Sequence, residues 1–291
     1  MELGNIIEQV RKNKGLTIKE VCGEQISRSV YNRFVNNKAD TSTSNLTYLL
    51  RQLNLEYDEL KNYNYPNETN QLQQISLTIR QAFERKDIDS LKRIRLMCLR
   101  DTGINKNKFK HLSNICELII GRLTNENVDV QKMEAFNYLM AVQSWTHYEL
   151  VLFNNMMFAF NVELVEVILD NAILNFKRHS TIDRYGNESF RMILNAVSFF
   201  IAEGEFKLVG KYMGILKSFY LNEDNFFEKT MLLFIEGIFN HIFGDENMGN
   251  QQINQSLVVC KVLKADNLFQ MNYEFVERLN SHYNLAIPLD E

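Results

Sequence analysis

The chain has 291 residues, 45% hydrophobic and 23% charged, with a formal net charge of -4; that length admits one or two domains with a sizeable core. Its mildly acidic balance, pI ≈ 5.8, excludes a histone-like coat that grips nucleic acid by charge alone. Only 2 prolines and 12 glycines interrupt it, so long helices run unbroken and an all-α protein is predicted.

The first residues, Met1-Glu2-Leu3-Gly4-Asn5, lack a basic region followed by an apolar one, so no signal peptide is expected. No run reaches the roughly 18 apolar residues of a membrane span, and a cytoplasmic protein without membrane partners is expected. Residues 3–61 read as five short helices. Leu3, Ile6, Ile7 and Val10 recur at helical spacing, and Lys12-Asn13-Lys14-Gly15 ends that helix. Thr17-Ile18-Lys19-Glu20 is a capping box opening a short helix through Val21 and Cys22. Ser27 caps the third helix. Leu46, Leu49, Leu50 and Leu53 stripe a fourth, and Tyr57–Lys61 predicts a fifth.

At about 100° per residue, Ile26, Val30 and Phe34 of the third helix fall together and are expected to be buried. Arg28, Asn32 and Val35 then lie nearly opposite, with Ser29, Tyr31 and Asn36 on the flanks. Such a face suits a recognition helix in the DNA major groove: arginine bonds guanine bidentately and asparagine bonds adenine. Ser27 and Ser29 stand at the helix start, where hydroxyls and free amides hold a phosphate. Arg33 lies nearer the buried side, and bracing a neighbouring helix is as good a role for it as touching DNA. Lys38 completes the DNA-facing set. Residues 11–38 carry seven basic against two acidic side chains, so positive charge gathers where a helix-turn-helix needs it. One such weakly charged domain binds poorly, and a homodimer on two half-sites of double-stranded DNA is the expected unit.

Asn62-Tyr63-Asn64-Tyr65-Pro66-Asn67 breaks the helical pattern, which divides the chain into domains at 1–64 and 65–291. Beyond it Leu164, Val165, Ile168, Leu169, Ala172, Ile173 and Phe176 form a wide apolar stripe. Tight polar turns are predicted at Phe83–Asp87, Ala202–Phe206 and Phe243–Glu246. They are similar to the turns of tetratricopeptide-type hairpins and point to a degenerate α-solenoid with a concave face; a compact helical bundle is the alternative. The four cysteines, scattered without ligand spacing, read as buried free thiols.

Leu3 to Lys61, through "RKNKGLTIKEVCGEQISRSVYNRFVNN", "NLTYLLRQLNL" and "EYDELK", resembles the Cro/C1-type (XRE) helix-turn-helix domain. Val35 and Asn37 stand where that family commonly carries Glu and Gly, and asparagine preserves the left-handed turn. "AVQSWTHYELVLFNN" and "FFEKTMLLFIEGIFNHIFG" resemble landmark stretches of Rgg/GadR/MutR-type regulators, so the likeness spans almost the whole chain. The resemblance implies a cytoplasmic, dimeric, sequence-specific transcriptional regulator controlled by a short signalling peptide held in the concave face. It places Arg80, Asn155 and Asn195 on that face. An asparagine amide pairs with one peptide unit, and Arg80 with a carboxylate. Each asparagine equally fits an interhelical bond or a solvent-facing site. Some relatives place an arginine where this chain has Phe158, amid Met156, Met157 and Phe160; a pocket so lined favours an apolar ligand, although the same run also suits a core. No cysteine lies between Asp40 and Tyr48, where some members have one at the dimer contact, so no disulfide between DNA-binding domains is expected.

Signals for an enzyme are weak, and no cofactor or metal is expected. Gly204-Glu205-Phe206-Lys207-Leu208-Val209-Gly210-Lys211 has the wrong glycine spacing for a phosphate loop, and Tyr212 replaces its Ser or Thr. The five histidines show no zinc-ligand spacing. The remaining alternatives are a ligand-independent dimeric repressor and a helical-repeat scaffold for other proteins.

Overall fold

The computed structural model describes residues 2–63, 68–179 and 183–289, and among them the protein is all-helical. It divides into two compact units, Met1–Leu77 and Thr78–Glu291. The linker expected at Asn62–Asn67 lies largely outside the described residues, as does the side chain of Phe176.

In the first unit α1 (Leu3–Asn13), α2 (Ile18–Cys22), α3 (Arg28–Val35) and α4 (Thr43–Gln52) are followed by a 3-10 segment, Tyr57–Tyr63, where a fifth helix was expected. The caps form as the sequence dictates. Thr17 and Glu20 make the capping box, and the Ser27 hydroxyl accepts the Val30 amide. Ile6, Ile7, Val10, Val21, Ile26, Leu49 and Leu53 make a dry core, each no more than 4% exposed.

The division between the units falls within α5 (Glu68–Glu84), which is followed by α6 (Ile88–Arg100), α7 (Lys106–Thr124), α8 (Glu134–Ala141), α9 (His147–Met156) and α10 (Val162–His179). Then come α11 (Asp183–Ala202), α12 (Phe206–Lys217), α13 (Phe226–Phe243), α14 (Glu246–Val262) and α15 (Asp266–Tyr283). Three hairpins share one turn. The amides of Asp87, Glu205 and Ala265 return to the carbonyls of Ala82, Phe200 and Cys260 at 2.8, 2.8 and 2.9 Å. The residue before each adopts a left-handed conformation: Lys86 (φ 54°), Gly204 (φ 75°) and Lys264 (φ 54°). This closure satisfies the last helical carbonyls and reverses the chain. Gly204 therefore belongs to a repeat turn, and Gly210 and Lys211 lie inside α12, with Lys211 bonded to Glu166 and Asp170 at 2.9 and 2.8 Å.

Within the second unit α7 packs on α9, α9 on α11 and α11 on α13. These four helices thus form one layer of a stack of helical hairpins. The last helix reaches the first turn: Asn267 donates to Glu84 at 3.1 Å, and Lys86 lies 3.8 Å from Glu274. The four cysteines are free and buried.

Candidate functional site

Three residues of α1 serve α3. A Cβ at Gly4 would lie 2.2 Å from the Phe34 carbonyl oxygen, so the two helices cross backbone to backbone. Asn37, at φ 55°, turns the chain after α3 and donates from its amide to Asn5 at 3.1 Å. Glu8 accepts the Tyr31 hydroxyl at 2.9 Å and two Arg11 bonds at 2.9 and 2.7 Å; Arg11 also donates to the Leu16 carbonyl. The Arg11 bonds, against an opposing effect of burial and aided by Tyr31, hold the Glu8 carboxyl at about 2. Burial, reinforced by Glu8, pushes the Tyr31 phenol up.

This arrangement corrects the expected orientation of α3. Tyr31, Phe34 and Val35 are buried at 1%, 6% and 7%, whereas Val30 is 43% exposed. Relative to the face inferred from Ile26, Val30 and Phe34, the helix is turned by roughly 90° about its axis. The reason is that the Tyr31 ring fills the core while its hydroxyl finds a charged acceptor on α1, a pairing that spacing alone does not reveal. Tyr31 is thus placed beneath the exposed side of α3. Ser27, Arg28, Ser29, Arg33 and Lys38 are exposed, Asn32 is half-buried, and no acidic residue lies between Glu24 and Asp40.

In the second unit the expected peptide-facing residues fall on two regions. Asn195 of α11 donates to Asn154 of α9 at 2.7 Å, and the neighbouring Asn155 donates to the Val151 carbonyl at 2.7 Å. Both asparagines are exposed, on the contacting helices α9 and α11, and each amide keeps an oxygen and a second proton for another group. Met156, Met157 and Phe160 are core, at 0%, 2% and 5% exposure. Phe158 alone of that run reaches the surface appreciably among these four, half-buried, with the Arg122 guanidinium 4.9 Å from its ring centroid. Arg80 stands apart on α5, where its guanidinium bonds Glu84 at 3.0 Å.

The tryptophan-containing stretch acts as a buried joint. Thr146 and Glu149 form a second capping box, and Glu149, 4% exposed, also accepts the Tyr138 hydroxyl. Burial opposes ionisation of Glu149, but the Thr146 and Tyr138 bonds outweigh it and leave its carboxyl below the usual range. His111 of α7 bonds the Tyr148 hydroxyl at 2.7 Å, and burial lowers its pKa. Arg191 of α11 reaches Glu228 of α13, 3% exposed, at 3.1 and 2.9 Å. The resemblance marked these stretches, but the partners His111, Tyr138 and Arg191 lie outside them and carried no local signal.

Among the described residues no helix is long and apolar enough to cross a membrane. A family model described as the C-terminal domain of HTH-type transcriptional regulator Rgg matches residues 96–274. The whole chain is similar to the Streptococcus dysgalactiae SHP pheromone receptor Rgg2, with 20% identity and a TM-score of 0.73, covering 96% of this chain and 99% of that one. A putative transcriptional regulator from Listeria monocytogenes matches at 17% identity and a TM-score of 0.78, over 97% and 98% of the two chains. PrgX, solved in complex with cCF10, matches at 13% and 0.72, over 96% and 92%.

Proposed function

Because the chain belongs to the Rgg family of HTH-type transcriptional regulators, we propose that it binds promoter DNA through α3 and is controlled by a short peptide held against the layer of α7, α9, α11 and α13 in its second unit. The observation that carries the first half is the acid-free α3 face, held against α1 by Gly4, Asn5 and Glu8. Arg28 and Asn32 read bases, Ser27, Ser29 and Lys38 hold phosphates, and Arg33, exposed on the same arc, joins them. Tyr31 sets the pitch of the helix from below without touching DNA. The protein acts in the cytoplasm as a homodimer, because a domain of such modest charge gains useful affinity only on paired half-sites.

Peptide control rests on the amides of Asn155 and Asn195 beside Phe158, and on Rgg2 being a pheromone receptor and PrgX having been solved with cCF10. Ligand shifts the population between placements of the DNA-binding units of the dimer.

Footprinting on the promoters flanking the gene tests the DNA reading. Arg28→Ala should weaken a preferred site by about 1–3 kcal/mol and relax specificity at one base. Unchanged affinity would remove Arg28 from the readout, and no protected site for the wild type would leave the helical-repeat scaffold as the better account.

A further inference from the structure

The rotation of α3 that buries Tyr31 carries Val30 out of the core, to 43% exposure. Among the described residues of α1 to α4, Val30 is the only large hydrophobic side chain left so exposed. It stands in the first turn of α3, where the Ser27 hydroxyl caps the helix by accepting the Val30 amide at 3.3 Å. Ser29 precedes it, and Arg33 follows one turn on, about 60° round the helix axis; both are exposed. No acidic residue lies between Glu24 and Asp40. Val30 is thus a single apolar group set in a polar face that suits an anion.

The fold has little use for valine at this place. A β-branched residue forms helix less readily than a straight-chain one, and Tyr31 and Phe34 already fill the core at 1% and 6% exposure. What valine offers is two methyl groups held by a stiff Cβ in one preferred rotamer, so a contact made through them loses little side-chain entropy. The first turn of a recognition helix is the part that meets base edges. In the major groove the base edges present donors and acceptors, and the C5-methyl of thymine is the apolar group among them.

We propose that Val30 reads a thymine, packing its methyl groups on the C5-methyl of one base in each half-site. This rests on α3 being the DNA-reading helix, and adds an apolar component to a specificity that Arg28 and Asn32 exercise through hydrogen bonds. Cytosine, which lacks the methyl and presents an amino donor in its place, is disfavoured at that position.

The test uses the full chain and sites that it selects from a pool of random double-stranded oligonucleotides. At each thymine position in turn, deoxyuridine replaces thymidine in both half-sites, which deletes the methyl and nothing else. At one position the wild type should lose affinity by about fourfold for each half-site, the worth of one methyl removed from water. Val30→Ser removes both methyl groups and forms helix about as well as valine, so its Tm should stay near the wild-type value. It should bind the thymine and uracil duplexes equally at that position and keep the wild-type response at every other. If uracil weakens the wild type nowhere, the thymine contact is overturned and DNA binding by α3 stands. If Val30→Ser suffers the same uracil loss as the wild type, another side chain reads the methyl and the assignment to Val30 is overturned. If the pool yields no enriched site, the DNA reading of α3 falls together with the Val30 contact.

Discussion

Glu8 has a side chain only 21% exposed and carries the joint between α1 and α3. Its folded pKa of about 2, against an ordinary 4.5, makes folding favour the ionised form. The stability it supplies is therefore complete above about pH 4.5 and lost as pH falls toward 2. The shift corresponds to roughly 3.4 kcal/mol before screening by solvent, which lowers the contribution to about 2–3 kcal/mol. Glu8→Gln should forfeit it at neutral pH and flatten the acid limb of the stability curve, which urea unfolding across pH 2–7 measures. Tyr31→Phe keeps the ring in the core and removes one bond, so about 0.5–1.5 kcal/mol is expected with operator affinity unchanged. A loss of DNA binding in Tyr31→Phe without a loss of stability would mean that the phenol reaches DNA after all.

Helix pairing in the second unit is set by where the backbones can meet. At Gly249 a Cβ would lie 2.4 Å from the His241 amide nitrogen and 2.7 Å from the Gly237 carbonyl oxygen, so α13 and α14 touch through their main chains. Gly249→Ala should separate them and lower stability by about 1–3 kcal/mol. Gly210, on α12, has open space around it, and Gly210→Ala should raise stability by about 0.5–1 kcal/mol through helix propensity. Thermal unfolding of the pair measures both signs; a loss at Gly210 or none at Gly249 would refute this account of the packing. The hairpin turns have a related logic. Lys86 and Lys264 accept left-handed backbone at a cost of roughly 1–2 kcal/mol each, which glycine at position 204 avoids.

Across the second unit α15 docks on the α5–α6 turn, far away in sequence, where Glu84 accepts from both Arg80 and Asn267. Exposed polar pairs of this kind contribute little each, about 0–1 kcal/mol. Glu84→Gln should therefore leave global stability nearly unchanged yet let the first turns of α15 open more often. Hydrogen exchange should rise there and stay constant in α11 and α13. Unaltered exchange in α15 would show that apolar contacts such as Phe234–Phe275 hold the helix by themselves.

Local signals were enough for the helices of the first unit, the Thr17 and Ser27 caps and the left-handed Asn37, because each depends on neighbours within a few residues. The family resemblance was equally legible, since motif order and spacing are properties of the chain. The face that α3 shows to solvent was not. An eight-residue helix with Val30, Tyr31, Phe34 and Val35 offers two apolar sides, and the choice between them was made by Glu8 on another helix. The docking of α15 on the α5–α6 turn was likewise invisible, because Asn267 and Glu84 lie on segments far apart in sequence and only the fold brings them together.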